Sequence, residues 1–205
     1  MRLFIISGPA GAGKTTLLKK LFRKKFVKEN FLRTISFTTR EKREGERKGK
    51  DYFFVSKEEF LKKKKEGFFL ETQKVLNDYY GTPKYFLKEA KKEKKDLILC
   101  IDVKGGKYLK KNFKEGKIIT IFIAVDLGEI YQRLKRRKEI HLKEKLFLAK
   151  KEMGYLKYYD YLVINKDIKK SVEDLEAILK AERLRLYGGL YSFGEIIRSS
   201  RRFCI

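Results

Sequence analysis

The sequence predicts an α/β fold, a mostly parallel sheet wrapped by helices, from three observations. Apolar runs of strand length alternate with helical patterns along most of the chain. The first of these runs leads straight into a glycine-rich loop and then an amphipathic helix. At 205 residues the chain holds one compact core with insertions and is too short for two ordinary domains.

Taken in order, "LFIIS" reads as a strand and Thr15 to Lys25 as a helix. "RTISF" and "YFFVS" read as further strands, and Ser56 followed by Glu59 forms a capping box that opens a short helix. "GFFLE" is a strand, and Thr82 before Pro83 predicts an N-cap with proline in the first turn of the next helix. "LILCIDV" is a strand followed by a helix, and "IITIFIAV" a strand followed by two basic helices. "YLVIN" closes the series of strands, and Asp126 and Ser171 are placed to cap helices. From Arg183 onward, "YGGLYSFG" and "RSSRR" read as an appended basic tail, residues 183–205.

Lys and Arg number 52 against 27 Asp and Glu, a net charge of +25 that favours polyanions: nucleotide, nucleic acid or acidic lipid. Most of the excess is Lys within helical stretches such as "LKKKKEG" and "KEAKKEKKD", which read as solvated helix faces rather than a dedicated nucleic-acid surface. Cys100 and Cys204 lie far apart and suggest neither a metal cluster nor a disulfide framework, so a reducing cytoplasm is expected. "LFII" is too short for the core of a secretory signal and "LILCIDV" too short to span a bilayer, so no membrane contact is expected.

"GPAGAGKT" after the first strand matches GxxxxGK[ST] in the strand–loop–helix context that the motif requires. Backbone N–H groups of Gly8, Pro9, Ala10, Gly11, Ala12 and Gly13, proline excepted, can turn inward around a phosphate chain. The helix N-terminus adds partial positive charge. Lys14 reaches the β- and γ-phosphates, Thr15 offers its hydroxyl to Mg²⁺, and Thr16 follows in the first turn. A nucleoside triphosphate is the expected ligand.

"SGPAGAGKTTLLKKLF", "SFTTREKREGERKGKDYFFVS", "FLE", "YYGTP" and "IDVKGG" occur together in the order and spacing of the guanylate kinases, which the chain resembles from about Leu3 to Lys180. The resemblance implies a P-loop NTPase fold within residues 1–182, divided into a core (1–34, 83–125 and 155–182), a GMP-binding subdomain (35–82) and a helical lid (126–154). It implies that Ser36, Arg40, Arg43, Tyr52, Glu71, Tyr80, Thr82 and Asp102 hold GMP, and that Asn165 contacts the adenine of ATP.

The chemistry of these residue types agrees. Two guanidinium forks and two phenols suit a phosphate dianion. A carboxylate only accepts, so Glu71 complements the N1–H and 2-amino donors of guanine, and a Thr82 hydroxyl can donate to O6. Asp102 ends an apolar run, where a carboxylate could instead meet the Mg²⁺ shell; the substrate role is favoured.

In the lid, Arg133 and Arg137 match the family's RLxxR and are expected, with Lys14 and Arg43, to neutralise charge during transfer. The pair of prolines that usually precedes the lid helix is missing, the Gly-Thr-Asp turn after the second arginine is replaced by "KEI", and Lys145 stands where the family carries another arginine. His141 is expected to be exposed and uninvolved. The expected function is transfer of a phosphoryl group from ATP to GMP with Mg²⁺, by a monomer or homodimer with no specific nucleic-acid partner. The alternatives are a binding module that has lost catalysis, a related kinase with another acceptor, and an RNA-binding protein.

Overall fold

The structure, a computed structural model, describes residues 1–185. It opens with β1 (Arg2–Ser7), α1 (Lys14–Leu21), α2 (Lys25–Asn30) and β2 (Phe31–Arg33). Then come β3 (Phe37–Thr38), β4 (Phe53–Phe54), α3 (Lys57–Lys65), β5 (Phe69–Val75) and β6 (Asp78–Pro83). They are followed by α4 (Tyr85–Glu93), β7 (Asp96–Cys100), α5 (Val103–Asn112), β8 (Lys117–Ala124) and α6 (Leu127–Arg136). The described chain ends with α7 (Leu142–Met153), β9 (Tyr161–Ile164) and α8 (Ile168–Leu184).

The large sheet runs β2-β7-β1-β8-β9, with every pairing parallel. Strands covered by helices on both faces must be apolar on both, and β1 is buried at every residue. Successive side chains then enter opposite layers. Phe4 and Ile6 join Leu17, Leu21, Ile130 and Leu175 from α1, α6 and α8. Leu3 and Ile5 join Phe86, Ala90 and Leu109 from α4 and α5.

A second sheet runs β4-β3-β6-β5, with β6 antiparallel to both neighbours. Its own core is aromatic: Phe60 stacks on Phe69 and Phe37 tilts against Phe53, each pair 4.7 Å between ring centroids. Helix α3 supplies Phe60, and its cap is the expected one, the Ser56 hydroxyl accepting from the Glu59 N–H at 3.1 Å.

The structure corrects several local expectations. "RTISF" divides between the two sheets as β2 and β3, because the Thr34 N–H still bonds Ile98 of the large sheet at 3.0 Å while Phe37 pairs with Gly81. The helix after the glycine loop stops at Leu21, and α2 restarts at Lys25. Thr82 and Pro83 close β6 rather than opening a helix; the hydroxyl is engaged by Glu71, and α4 begins at Tyr85 without a side-chain cap. Asp126 caps α6 as expected, accepting from the Gly128 and Glu129 N–H groups at 2.8 and 3.3 Å. Ser171 does not cap α8; Asp167 does, accepting from the Lys170 N–H at 2.7 Å. Arg183 and Leu184 still belong to α8, so the tail does not begin at 183, and residues 186–205 lie outside the described ones. Among the described residues no helix is long and apolar enough to cross a membrane.

Asp96, at the start of β7, pins the helical layer to the sheet. It is 4% exposed and accepts from the Arg2 N–H and from Arg183 Nη1, each at 2.7 Å. Truncation leaves buried donors and cations without their carboxylate. Asp96→Ala should therefore cost about 3 kcal/mol or more of unfolding free energy, read from the urea midpoint.

Candidate active site

The loop after β1 takes its shape from glycine. Gly8 has φ 145°, and a Cβ there would fall 2.2 Å from the Ile123 carbonyl oxygen of β8. Gly13 has φ 89°, and its Cβ would fall 2.4 Å from Nδ2 of Asn165. No side chain fits at Gly8, and one at Gly13 would be strained at this φ and would displace Asn165. The Ala12 N–H closes the loop onto the Pro9 carbonyl at 3.1 Å. Lys14 starts α1 and donates to the Gly8 carbonyl and to the Pro9 carbonyl, the latter at 3.0 Å. Gly8, Ala10, Gly11, Gly13, Thr15 and Thr16 face a cavity of about 240 Å³, while Pro9 and Ala12 stand behind its wall.

Asn165 lies at the end of β9, buried, with Nδ2 donating to the Ala12 carbonyl at 2.7 Å. Its side chain thus props the loop from behind. Arg133 on α6 acts beside it, donating to the Gly11 carbonyl at 3.3 Å and to the Asn165 carbonyl at 3.5 Å, with its Nε on Glu129 at 2.8 Å. Arg137, one turn later, borders the cavity instead.

The opposite wall comes from the small sheet. Glu71 is 4% exposed on β5, and its Oε1 accepts from the Thr82 hydroxyl across the β5–β6 ladder at 2.7 Å. Ser36 Oγ lies 3.3 Å from that hydroxyl. Thr82 therefore spends its proton on Glu71 and lies off the cavity wall, and Ser36 is the hydroxyl that faces the cavity. Burial pushes the Glu71 carboxyl up to about 7, with the Thr82 bond opposing and the Asp102 charge adding. Asp102 follows β7 and caps α5 by accepting the Gly105 N–H at 2.7 Å. Its carboxyl is raised by burial, against the pull of the Gly105 and Lys104 N–H groups and of Lys14. Gly105 admits this packing, since a Cβ there would come 2.9 Å from Glu71 Oε2.

Tyr52 and Tyr80 stand with ring centroids 6.1 Å apart, and the Arg40 guanidinium lies 5.6 Å from the Tyr52 ring centroid. Burial raises both phenols, and the Arg40 charge pulls the other way. Burial also works against the Arg40 charge, but a forked pair with Glu46 at 2.8 and 2.9 Å outweighs it and leaves the guanidinium raised. Arg43 pairs with Glu139, and Glu139 also takes Lys145. Arg137 is lowered by burial and by the neighbouring Arg43 charge. His141 is half-exposed at the cavity edge, 3.8 Å from Glu144.

The cavity thus gathers Lys14, Arg40, Arg43 and Arg137 around a space that ends at a buried carboxylate. Such a site takes an elongated anion with hydrogen-bond donors at its far end. Sequence reasoning missed Glu46, Glu139 and Glu152 as members of this wall. Glu152 on α7 is 7% exposed, and burial lifts its carboxyl to about 7 against the Lys14 charge, with Asp102 adding to the rise. Helical spacing was its signal: Lys145, Leu148 and Glu152 share one face of α7. Glu46 and Glu139 lie in irregular segments where no periodicity marks them.

Comparison with known proteins agrees with this geometry. The sequence model of the family described as "Guanylate kinase" matches residues 1–182. The curated guanylate kinase of Clostridium tetani is 42% identical over 187 residues, covering 90% of this chain and 88% of the relative. That of Caldanaerobacter subterraneus is 41% identical over 187 residues, covering 90% and 89%. The crystal structure of guanylate kinase from Anaplasma phagocytophilum superposes with a TM-score of 0.71 at 30% identity, covering 89% of this chain and 86% of that one. A phosphate loop facing a buried carboxylate across one cavity, with these matches over nearly the whole described chain, places the protein in the guanylate kinase family.

Proposed function

We propose that the chain transfers the terminal phosphoryl group of ATP to GMP, yielding ADP and GDP. The observation that carries this reading is the buried Glu71–Thr82–Ser36 relay on the same cavity as Lys14 and Thr15. Glu71 accepts from the N1–H and 2-amino group of guanine, and Ser36, the hydroxyl of the relay that lines the cavity, turns from Thr82 to donate to O6. Arg40 and Arg43, with the Tyr52 and Tyr80 hydroxyls, hold the monophosphate. The glycine loop cradles the triphosphate, and Lys14 and Arg137 face the oxygens on which charge develops. Arg133 and Asn165 act indirectly by fixing the loop's carbonyls. Residues 35–82 serve as the acceptor subdomain and 126–154 as the lid.

The residues present fit Mg²⁺. Thr15 presents a hydroxyl to the cavity from the first turn of α1, and no group of three His, Cys, Asp or Glu among the described residues forms a metal cage. That is the donor set of an ion held chiefly by substrate phosphates and water. Mg²⁺ supplies neutralisation of the phosphate oxygens, with Thr15 as its protein ligand.

The test is ADP release from ATP and Mg²⁺ with GMP, AMP, UMP or CMP as acceptor. GMP should exceed AMP by about 100-fold or more, because adenine leaves Glu71 without its donors. Equal rates would overturn the reading, and GMP binding without turnover would indicate a non-catalytic module.

A further inference from the structure

The turn between α6 and α7 carries a carboxylate that the proposed transfer does not use. The Glu139 side chain is 6% exposed and borders the cavity. One of its oxygens pairs with the Arg43 guanidinium, on the acceptor side, and the other takes the Lys145 ammonium of α7. Arg137, which begins the same turn, adds its charge to the group. Three cations around one buried anion make the setting in which a phosphate is usually held. Here a carboxylate of the chain itself holds it.

The backbone fixes that carboxylate in place. The Glu139 N–H reaches back to the Leu134 carbonyl at 3.3 Å and the Lys138 N–H to the Lys135 carbonyl at 2.9 Å, the paired bonds that end a helix through a left-handed residue. That residue is Lys138, at φ 51°. Glycine takes this conformation without the steric penalty a lysine carries, so the turn is held by its contacts rather than by its own preference.

We propose that Glu139 competes with the acceptor's phosphate for Arg43, so that a nucleoside monophosphate enters its phosphate subsite by displacing this carboxylate. The inference rests on the reading of Arg43 as an acceptor-phosphate ligand. It makes Glu139 a specificity-determining residue: a phosphorylated acceptor exchanges one anion for another on Arg43, whereas an unphosphorylated nucleoside leaves the Arg43–Glu139–Lys145 link intact. The same link joins the acceptor side of the cavity to the lid side, so displacement also releases one from the other.

Calorimetry on the full chain tests this. Glu139→Gln should bind GMP about 10-fold more tightly than the parent, the scale of one partly buried ion pair. Guanosine, which reaches the base pocket without a phosphate, should bind with unchanged affinity. Glu115→Gln removes the same charge from an exposed pair with Lys91 and should alter neither ligand. Glu139→Asp keeps the charge but shortens the reach by one methylene, and should give an intermediate gain; it also serves as the test variant if the amide form does not fold. Unchanged or weaker GMP binding in both Glu139 variants, with guanosine binding retained, overturns the competition. A parent chain that binds neither GMP nor guanosine overturns the acceptor pocket itself, a separate and recognisable failure.

Discussion

Lys14→Ala should lower turnover with GMP and MgATP by about 1000-fold, the upper end of what one lost donor to a developing charge costs. GMP affinity should stay close to that of the parent, because the residues proposed to hold the acceptor, Arg40, Arg43, Tyr52, Glu71 and Tyr80, line the cavity away from the glycine loop. The ammonium has two employments in the structure. It faces the phosphate site, and it holds the Gly8 and Pro9 carbonyls. Its charge also restrains the rise of the Asp102 and Glu152 carboxyls, so its removal favours the neutral form of both. Single-turnover rates with a coupled ADP assay measure the first effect, and calorimetry with GMP the second. A fully active variant would refute the assignment of the loop.

Glu71→Gln should cut kcat/KM for GMP by about 100-fold and narrow the gap between GMP and AMP, since one charged acceptor for two donors is replaced by a neutral amide that can accept only through its oxygen. A pH dependence accompanies it. The folded carboxyl titrates near 7 against an ordinary value of 4.5, because burial disfavours the charged form. Between those values the folded chain binds more protons than the unfolded one, so this group lowers stability as pH rises through that window. Glu71→Gln should remove that loss and be stabilising relative to the parent at pH 8 more than at pH 5. Binding carries the opposite sign: guanine needs the ionised acceptor, so GMP affinity of the parent should climb from pH 6 to pH 8. The phosphate of GMP ionises near pH 6 in both proteins, and the difference between parent and variant isolates Glu71. Parallel pH profiles would contradict the role given to this residue.

The central sheet was legible in the sequence because its strands are buried on both faces and read as continuous apolar runs. The phosphate loop was legible because its motif needs glycine at fixed offsets between a strand and a helix. The small sheet was harder to read. β3 and β4 are two residues long, and β6 ends in a Thr-Pro pair whose local chemistry favours a helix start. The ladder with β5 and the demand of Glu71 for a donor override that preference. The acceptor residues became legible through the family resemblance rather than through any period of their own. Glu46 and Glu139, which face the site's cations, could not be read at all, since an ion pair between irregular segments leaves no pattern along the chain. Ser36 and Thr82 show the same limit at finer scale: both were named, but only the hydroxyl geometry decides which one faces the cavity.

The contact between Asn165 and Ala12 joins positions 153 residues apart, and Gly8 fits against Ile123 of a strand formed almost as late. A nascent polypeptide therefore carries the glycine loop well before the scaffold that shapes it, which is complete only once β9, the last strand among the described residues, has been synthesised. Fragments cut short before that strand should be unable to sequester cellular ATP, so competence arrives late and all at once.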